Sequence, residues 1–161
     1  MTQIILQPIG LIHSPFQEPQ GTPIQPLAAR DVAGVVEIFP EFVPGLRDLE
    51  GFSRLILIYH FHLAKAFTLQ VKPFLDKEDR GVFATRAPAR PCPIGLSVVR
   101  LDKIEGNRLL VLDVDVVNNT PLLDIKPYVP QFDSFPEEKI GWMTDKIGKL
   151  PDAKDDGRFV K

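Results

Sequence analysis

The chain has 161 residues, 44% of them hydrophobic and 25% charged, with a formal net charge of −2. That length supports one domain with a real core, and the near-neutral balance excludes binding of nucleic acid through bulk positive charge. The single cysteine, Cys92, excludes an internal disulfide or a cysteine-cluster metal site, and no apolar run approaches the roughly 18 residues of a membrane span, so the expectation is a soluble, unexported protein of a reducing cytoplasm.

Proline is 16 of 161 residues, about twice its usual share. That favours short strands and long loops over a helix bundle. Ile4 to His13 reads as a first strand, with Pro8 marking an edge or a bulge. Ser14 to Arg30 is rich in Pro, Gln and Gly and reads as a long loop, the kind that often carries function. Gly34 to Phe39 is a second strand. Glu41 to Leu49, framed by Pro40 and Pro44, holds at most a helical turn or two. Ser53 to His62 is strongly β-like, and Val71 to Leu75 and Val82 to Thr85 read as shorter strands.

The run from Gly81 to Ser97 is the most unusual segment. Pro88, Pro91 and Pro93 bar both helix and central strand, and they push Ala87, Arg90 and Cys92 toward extended backbone. The result is a stiff arch bearing Arg86 and Arg90. Four arginines and no acid fall between Arg80 and Arg100. A rigid loop loses little entropy on binding, and guanidinium groups grip carboxylate or phosphate. The alternative is a solvated loop whose arginines hold the fold together.

Leu96 to Ile104 and Leu109 to Val117 read as a hairpin closed by Glu105-Gly106-Asn107-Arg108. Alternation on the second arm sends Leu110, Leu112, Val114 and Val116 one way and puts Asp113 and Asp115 on a solvated face. After the turn at Asn118-Asn119-Thr120-Pro121, the strand Leu122 to Tyr128 places Asp124, Lys126 and Tyr128 on one face. They form either a polar working cluster or a salt bridge that finishes the sheet. Ile140 to Ile147 suits a short helix docked by Trp142. Many short strands separated by turn signals argue for an all-β, compact single barrel with long Pro-rich loops. Residues 1–132 form that barrel, and residues 133–161 form a short, partly helical extension packed on it.

Four segments resemble one known family. They are Ile9 to Phe16, Gly21 to Pro26, the arch from Gly81 to Ser97, and Thr120 to Pro130 (Thr-Pro-Leu-Leu-Asp-Ile-Lys-Pro-Tyr-Val-Pro). The family is TrmO, also called YaeB-like or TsaA-like: tRNA adenine-N6 methyltransferases built on a single β-barrel. The resemblance implies S-adenosylmethionine as donor. The acceptor it implies is N6 of a threonylcarbamoyl-adenosine just 3′ of the anticodon. It further implies a homodimer with donor sites near the subunit interface. By the family pattern, Pro23, Ile24, Gln25, Phe61, His62, Arg86, Leu96, Asn119, Thr120 and Pro121 would hold the donor. Asp124, Lys126 and Tyr128 would position the acceptor, with Asp124 a candidate for the N6 proton. Arg80, Arg90 and Arg100 would form a basic surface for tRNA. No metal is implied, and no membrane partner. Departures from the pattern fall at Ile24, Ala89, Cys92, Asn118 and Asn119. With the absent C-terminal domain of larger members, they keep open a rival reading as a non-catalytic S-adenosylmethionine- or nucleoside-binding barrel. A barrel that serves only as an interaction module is a second rival.

Overall fold

The computed structural model describes residues 2–136 and 138–160. Eight strands follow in order: β1 (Gly10–His13), β2 (Ala33–Ile38), β3 (Arg54–His60), β4 (Gln70–Val71), β5 (Arg80–Gly81), β6 (Ile94–Glu105), β7 (Arg108–Leu112) and β8 (Thr120–Pro127). Six of them close into an antiparallel barrel in the order β1-β2-β7-β6-β3-β8, while β4 and β5 pair alone. The expectation of an all-β barrel holds. Closure is favourable because no strand of the barrel is left with an unpaired edge.

The barrel interior is packed, not hollow. Ile12, Val36, Ile38, Leu55, Leu57, Val99, Leu109, Val111 and Leu122 are essentially inaccessible and belong to one cluster. Strand β3 shows the cause most simply: its burial alternates residue by residue, with Leu55, Leu57 and Tyr59 inward.

Several local expectations are corrected. The first strand is shorter than Ile4 to His13. Pro8 has no N–H to give, and pairing begins at Ile9, which donates to the Leu122 carbonyl. Val82 to Thr85 is not a strand; Val82–Ala84 forms a 3-10 turn, closed when Thr85 donates N–H and Oγ1 to the Val82 carbonyl. The short strand expected over Val71 to Leu75 is instead Gln70–Val71, ending just ahead of Pro73. The tail folds not as one helix but as 3-10 turns at Gly141–Met143 and Ile147–Asp152.

The largest correction concerns β7. Leu109 and Val111 point inward, so Leu110 and Leu112 take the outer side. Asp113 then adopts a left-handed backbone (φ 72°), which shifts the phase of the chain. Val114 and Val116 enter the core, and Asp113 and Asp115 are buried as well. The solvated acidic face does not exist. Asp113 receives Arg100 at 2.7 and 2.6 Å, lies 3.6 Å from Arg54, and accepts the Asp31 N–H at 2.9 Å. These partners hold its carboxyl below the usual range, Arg100 most of all.

Candidate functional site

The end of β3, the start of β6 and the start of β8 meet at one end of the barrel. A cavity of about 630 Å³ opens there, within the range of small-molecule sites. Three loops complete its walls: the loop around Pro23, the Pro-rich arch, and the chain that leaves β7.

The arch is stiff for a visible reason. Arg90 N–H donates to the Pro88 carbonyl at 2.8 Å, and Ile94 N–H to the Cys92 carbonyl at 2.7 Å, two tight reversals between its prolines. Phe61 N–H fastens the arch to β3 through the Pro93 carbonyl at 2.7 Å. Gly95 is required by close approach: a Cβ there would fall 2.2 Å from the Tyr59 ring. The Tyr59 ring also meets Phe61 edge-on at 5.4 Å, which fixes the floor of the cavity.

The charged groups are few. Arg86 is exposed to the cavity and donates to Gln25 Oε1 at 3.0 Å; among the described residues no carboxylate pairs with it. Asp115 is almost fully buried in the cavity wall and accepts from Ser97 Oγ at 2.6 Å. When Asp115 is ionised it takes the Ser97 proton, and Tyr59 Oη then donates to Ser97 Oγ, at 2.9 Å. Burial pushes the Asp115 carboxyl up to about 7, against the lowering pull of the Ser97 hydroxyl and the Arg86 charge. Tyr59 is pushed well above its ordinary value, first by burial and then by Asp115. Asp155 also lines the cavity and is raised by burial. His62, lowered by burial and by neighbouring His60, faces the cavity as a neutral imidazole near pH 7. The remaining wall is largely apolar, including Phe61, Leu63, Phe74, Phe83, Ile94 and Leu96.

Of the ten residues expected to hold a donor, Pro23, Ile24, Gln25, Phe61, His62, Arg86, Leu96 and Thr120 line this cavity. Asn119 and Pro121 do not. Asn119 takes a left-handed turn (φ 61°), and Pro121 pairs with Leu11 within the barrel. Asp124 and Lys126 stand on the outer side of β8 as an ion pair of 2.7 Å, both about half exposed, and Tyr128 follows the strand end. None of those three lines the cavity of their own chain. The three arginines expected to meet tRNA are already engaged. Arg80 pairs with Asp76 at 2.7 Å and Glu78 at 3.0 Å. Arg90 donates into the arch, to the carbonyls of Thr85 and Ala87. Arg100 bridges Asp113 and Asp31.

Sequence reasoning missed Tyr59, Asp115, Asp155 and Val160 as cavity residues. Asp155 arrives because the tail is sewn to the loop before Pro23. Gly21 N–H donates to the Asp155 carbonyl, Asp155 N–H returns to the Thr22 carbonyl, both at 2.7 Å, and Pro23 bridges Lys154. Trp142 anchors the same tail by donating to the Ala84 carbonyl at 2.8 Å, with Arg80 and Lys146 over its ring.

A closed six-stranded barrel with one end built into a small-molecule cavity defines a compact ligand-binding barrel, unlike a doubly wound nucleotide fold. The chain belongs to the tRNA-methyltransferase O N-terminal domain family, whose pattern matches residues 11–134. A probable S-adenosyl-L-methionine-binding protein of Pyrococcus abyssi is 59% identical over 97% of this chain and 85% of its own length. Human tRNA (adenine(37)-N6)-methyltransferase is 34% identical over 81% of this chain, which spans only 31% of the human protein. The crystal structure of TrmO from Pseudomonas aeruginosa superposes with a TM-score of 0.74 at 40% identity, covering 88% of this chain and 62% of that one. Among the described residues, no helix is long and apolar enough to cross a membrane.

Proposed function

We propose that this chain binds S-adenosylmethionine in the barrel-end cavity and transfers its methyl group to N6 of a tRNA adenosine beside the anticodon. The observation that carries the reading is the pairing of opposite charges in one cavity. Arg86, a cation with no carboxylate partner among the described residues, faces a wall containing Asp115 and Asp155. That combination suits a zwitterionic amino-acid head carrying a further positive sulfonium. The apolar wall, Leu96 included, suits an adenine ring.

When bound, S-adenosylmethionine supplies an electrophilic methyl that needs no metal and no covalent enzyme intermediate. The chain's own work is placement and exclusion of water. Arg86 takes the carboxylate, Asp115 and Asp155 face the ammonium, and Phe61, Ile94 and Leu96 keep the centre dry. His62, neutral, adds no positive charge to compete with the sulfonium. The threonylcarbamoyl group on the acceptor is the finer part of the proposal, and it rests on the family resemblance. The rival reading, binding without catalysis, has one observation in its favour: the Pyrococcus relative carries a binding name and not an enzyme name.

Calorimetric titration with S-adenosylmethionine and with its demethylated product is the test. Micromolar binding of both is expected; a folded protein that binds neither refutes the donor site. Methyl transfer from labelled donor to tRNA then separates enzyme from binding module.

A homodimer belongs to the same proposal. Across β6, β3 and β8, Leu96, Ile58 and Asp124 lie in one cross-strand row, and Val98, Ile56 and Lys126 in the next. This outer face is apolar in its centre, and Leu96 belongs both to it and to the cavity rim. A second copy packed there would carry its Asp124, Lys126 and Tyr128 toward its neighbour's cavity. Light scattering should give twice the chain mass. Ile56→Glu, which sets a carboxylate opposite Lys126, should give a folded monomer that no longer methylates. A wild-type monomer with full activity would sink the dimer.

A further inference from the structure

The flank beside the cavity carries unspent positive charge. An open depression of about 800 Å³ there includes Lys65, Lys72, Lys77 and Arg158, with Asp76 and Asp156 as its acids. Both acids are already engaged. Asp76 is held by Arg80 at 2.7 Å and Lys146 at 2.6 Å, and Asp156 by Arg158 at 2.6 Å. Lys65, Lys72 and Lys77 are exposed, and among the described residues none of them forms an ion pair. Phe67 stands between the first two in sequence, 55% exposed and outside both hydrophobic clusters.

The depression and the cavity share walls. Leu63 and Ala64 line the cavity while Lys65 and Ala66 line the depression; Pro88 and Arg90 face one, Ala89 the other; Val160 and Phe159 divide in the same way. Two of the three lysines have pinned backbones. Arg158 donates to the carbonyls of Lys72 and Pro73, both at 3.1 Å, and Lys77 N–H donates to Asp76 Oδ1 at 2.8 Å. Phe67 is not part of the lining, but it follows Lys65 and Ala66, which are, and precedes Thr68, which is too. Exposed lysines on a largely fixed backbone, with an exposed aromatic ring on the segment that forms the rim, are the chemistry that holds phosphates and stacks an unpaired base.

We propose that Lys65, Lys72 and Lys77 hold the phosphate backbone of the acceptor RNA, with Phe67 stacking on one of its unpaired bases. The proposal rests on the tRNA reading above and moves the RNA surface away from Arg80, Arg90 and Arg100, which the fold already uses.

The probe is a fluorescently labelled anticodon stem-loop RNA, titrated by anisotropy over a range of salt. The triple variant Lys65→Ala/Lys72→Ala/Lys77→Ala should bind at least tenfold more weakly at physiological salt. Its slope of log affinity against log salt should fall by about 2, since each phosphate contact on a single strand contributes about 0.7. Its affinity for S-adenosylmethionine and its melting temperature should not change. Phe67→Ala should weaken binding several-fold without altering the slope, and Phe67→Trp should restore it. Arg30→Ala/Arg47→Ala removes charge from two side chains that are 85% and 88% exposed and should change little. Wild-type affinity and slope in the triple variant overturn the surface while leaving the enzyme reading intact. So does an equal loss in the Arg30/Arg47 variant, because generic charge would then explain it. A Phe67→Ala variant that binds like the wild type removes the stacking. Wild-type protein that binds donor but no RNA overturns the tRNA reading and this surface with it.

Discussion

Arg86→Ala is expected to weaken S-adenosylmethionine binding by about 10- to 100-fold and to leave the melting temperature nearly unchanged. The first half follows from the loss of a charge-assisted hydrogen bond, which contributes about 1.5–3 kcal/mol. The second half follows from what Arg86 does in the free protein. Its hydrogen bond within the chain goes to an exposed Gln25, and surface changes of that kind stay within about 0.5 kcal/mol. The substitution also removes a positive charge that favours the ionised form of Asp115, so the Asp115 carboxyl should rise further. Calorimetry reads the affinity, and thermal melting reads the fold. A folded variant with unchanged affinity would show that the donor carboxylate does not meet this guanidinium.

Asp115→Asn is expected to be more stable than the wild type above neutral pH and equal to it near pH 4. In the folded chain burial moves this carboxyl from 3.8 to about 7. Between those values the native state holds a proton that the unfolded chain has released, so stability falls as pH rises through the interval. Above it the wild-type chain buries a charge. At about 1.4 kcal/mol per pH unit, the interval sets an upper figure of about 4 kcal/mol. Asparagine keeps the shape and an acceptor for Ser97 but does not titrate, so this fall should vanish. Urea unfolding at pH 5 and pH 8 measures it. The same variant should bind S-adenosylmethionine more weakly at pH 8, because the ammonium loses its counter-charge. Parallel stability curves for the two proteins would mean that Asp115 does not titrate in this range.

Much of the barrel was legible because alternation and turn chemistry are local. Strand β3 announces itself through Leu55, Leu57 and Tyr59, and the β6–β7 hairpin through Gly106, which adopts φ 63° at the turn. The failures came where one residue changes the phase. At Asp113 a non-glycine left-handed backbone reverses which side chains face inward, and nothing in Leu109 to Leu112 shows which side is inward before the reversal, because both phases of that stretch are apolar. The same slip hid Asp115, the most perturbed carboxyl of the cavity, on an imagined wet face. The arch was readable from its prolines, and eight of the ten residues expected at the donor site from the resemblance do line the cavity. Asp155 and Val160 were not readable, since their place depends on backbone pairing across more than 130 residues, from Gly21 to Asp155. Arg80 and Arg100 show the opposite limit: sequence reveals the cation but not the carboxylate that folding places against it.

The seam between Gly21 and Asp155 also orders events in time. On the ribosome, residues 10–127 supply every barrel strand before the tail has been translated, so the barrel can close early. The cavity cannot. Its loop before Pro23 has no partner for the Gly21 N–H until residue 155 emerges, and loop closure over that separation is among the slowest contacts in the chain. A nascent chain would therefore pass through a stage with an intact core and an open mouth, unable to retain ligand, and would become competent only after the segment around Asp155 had docked.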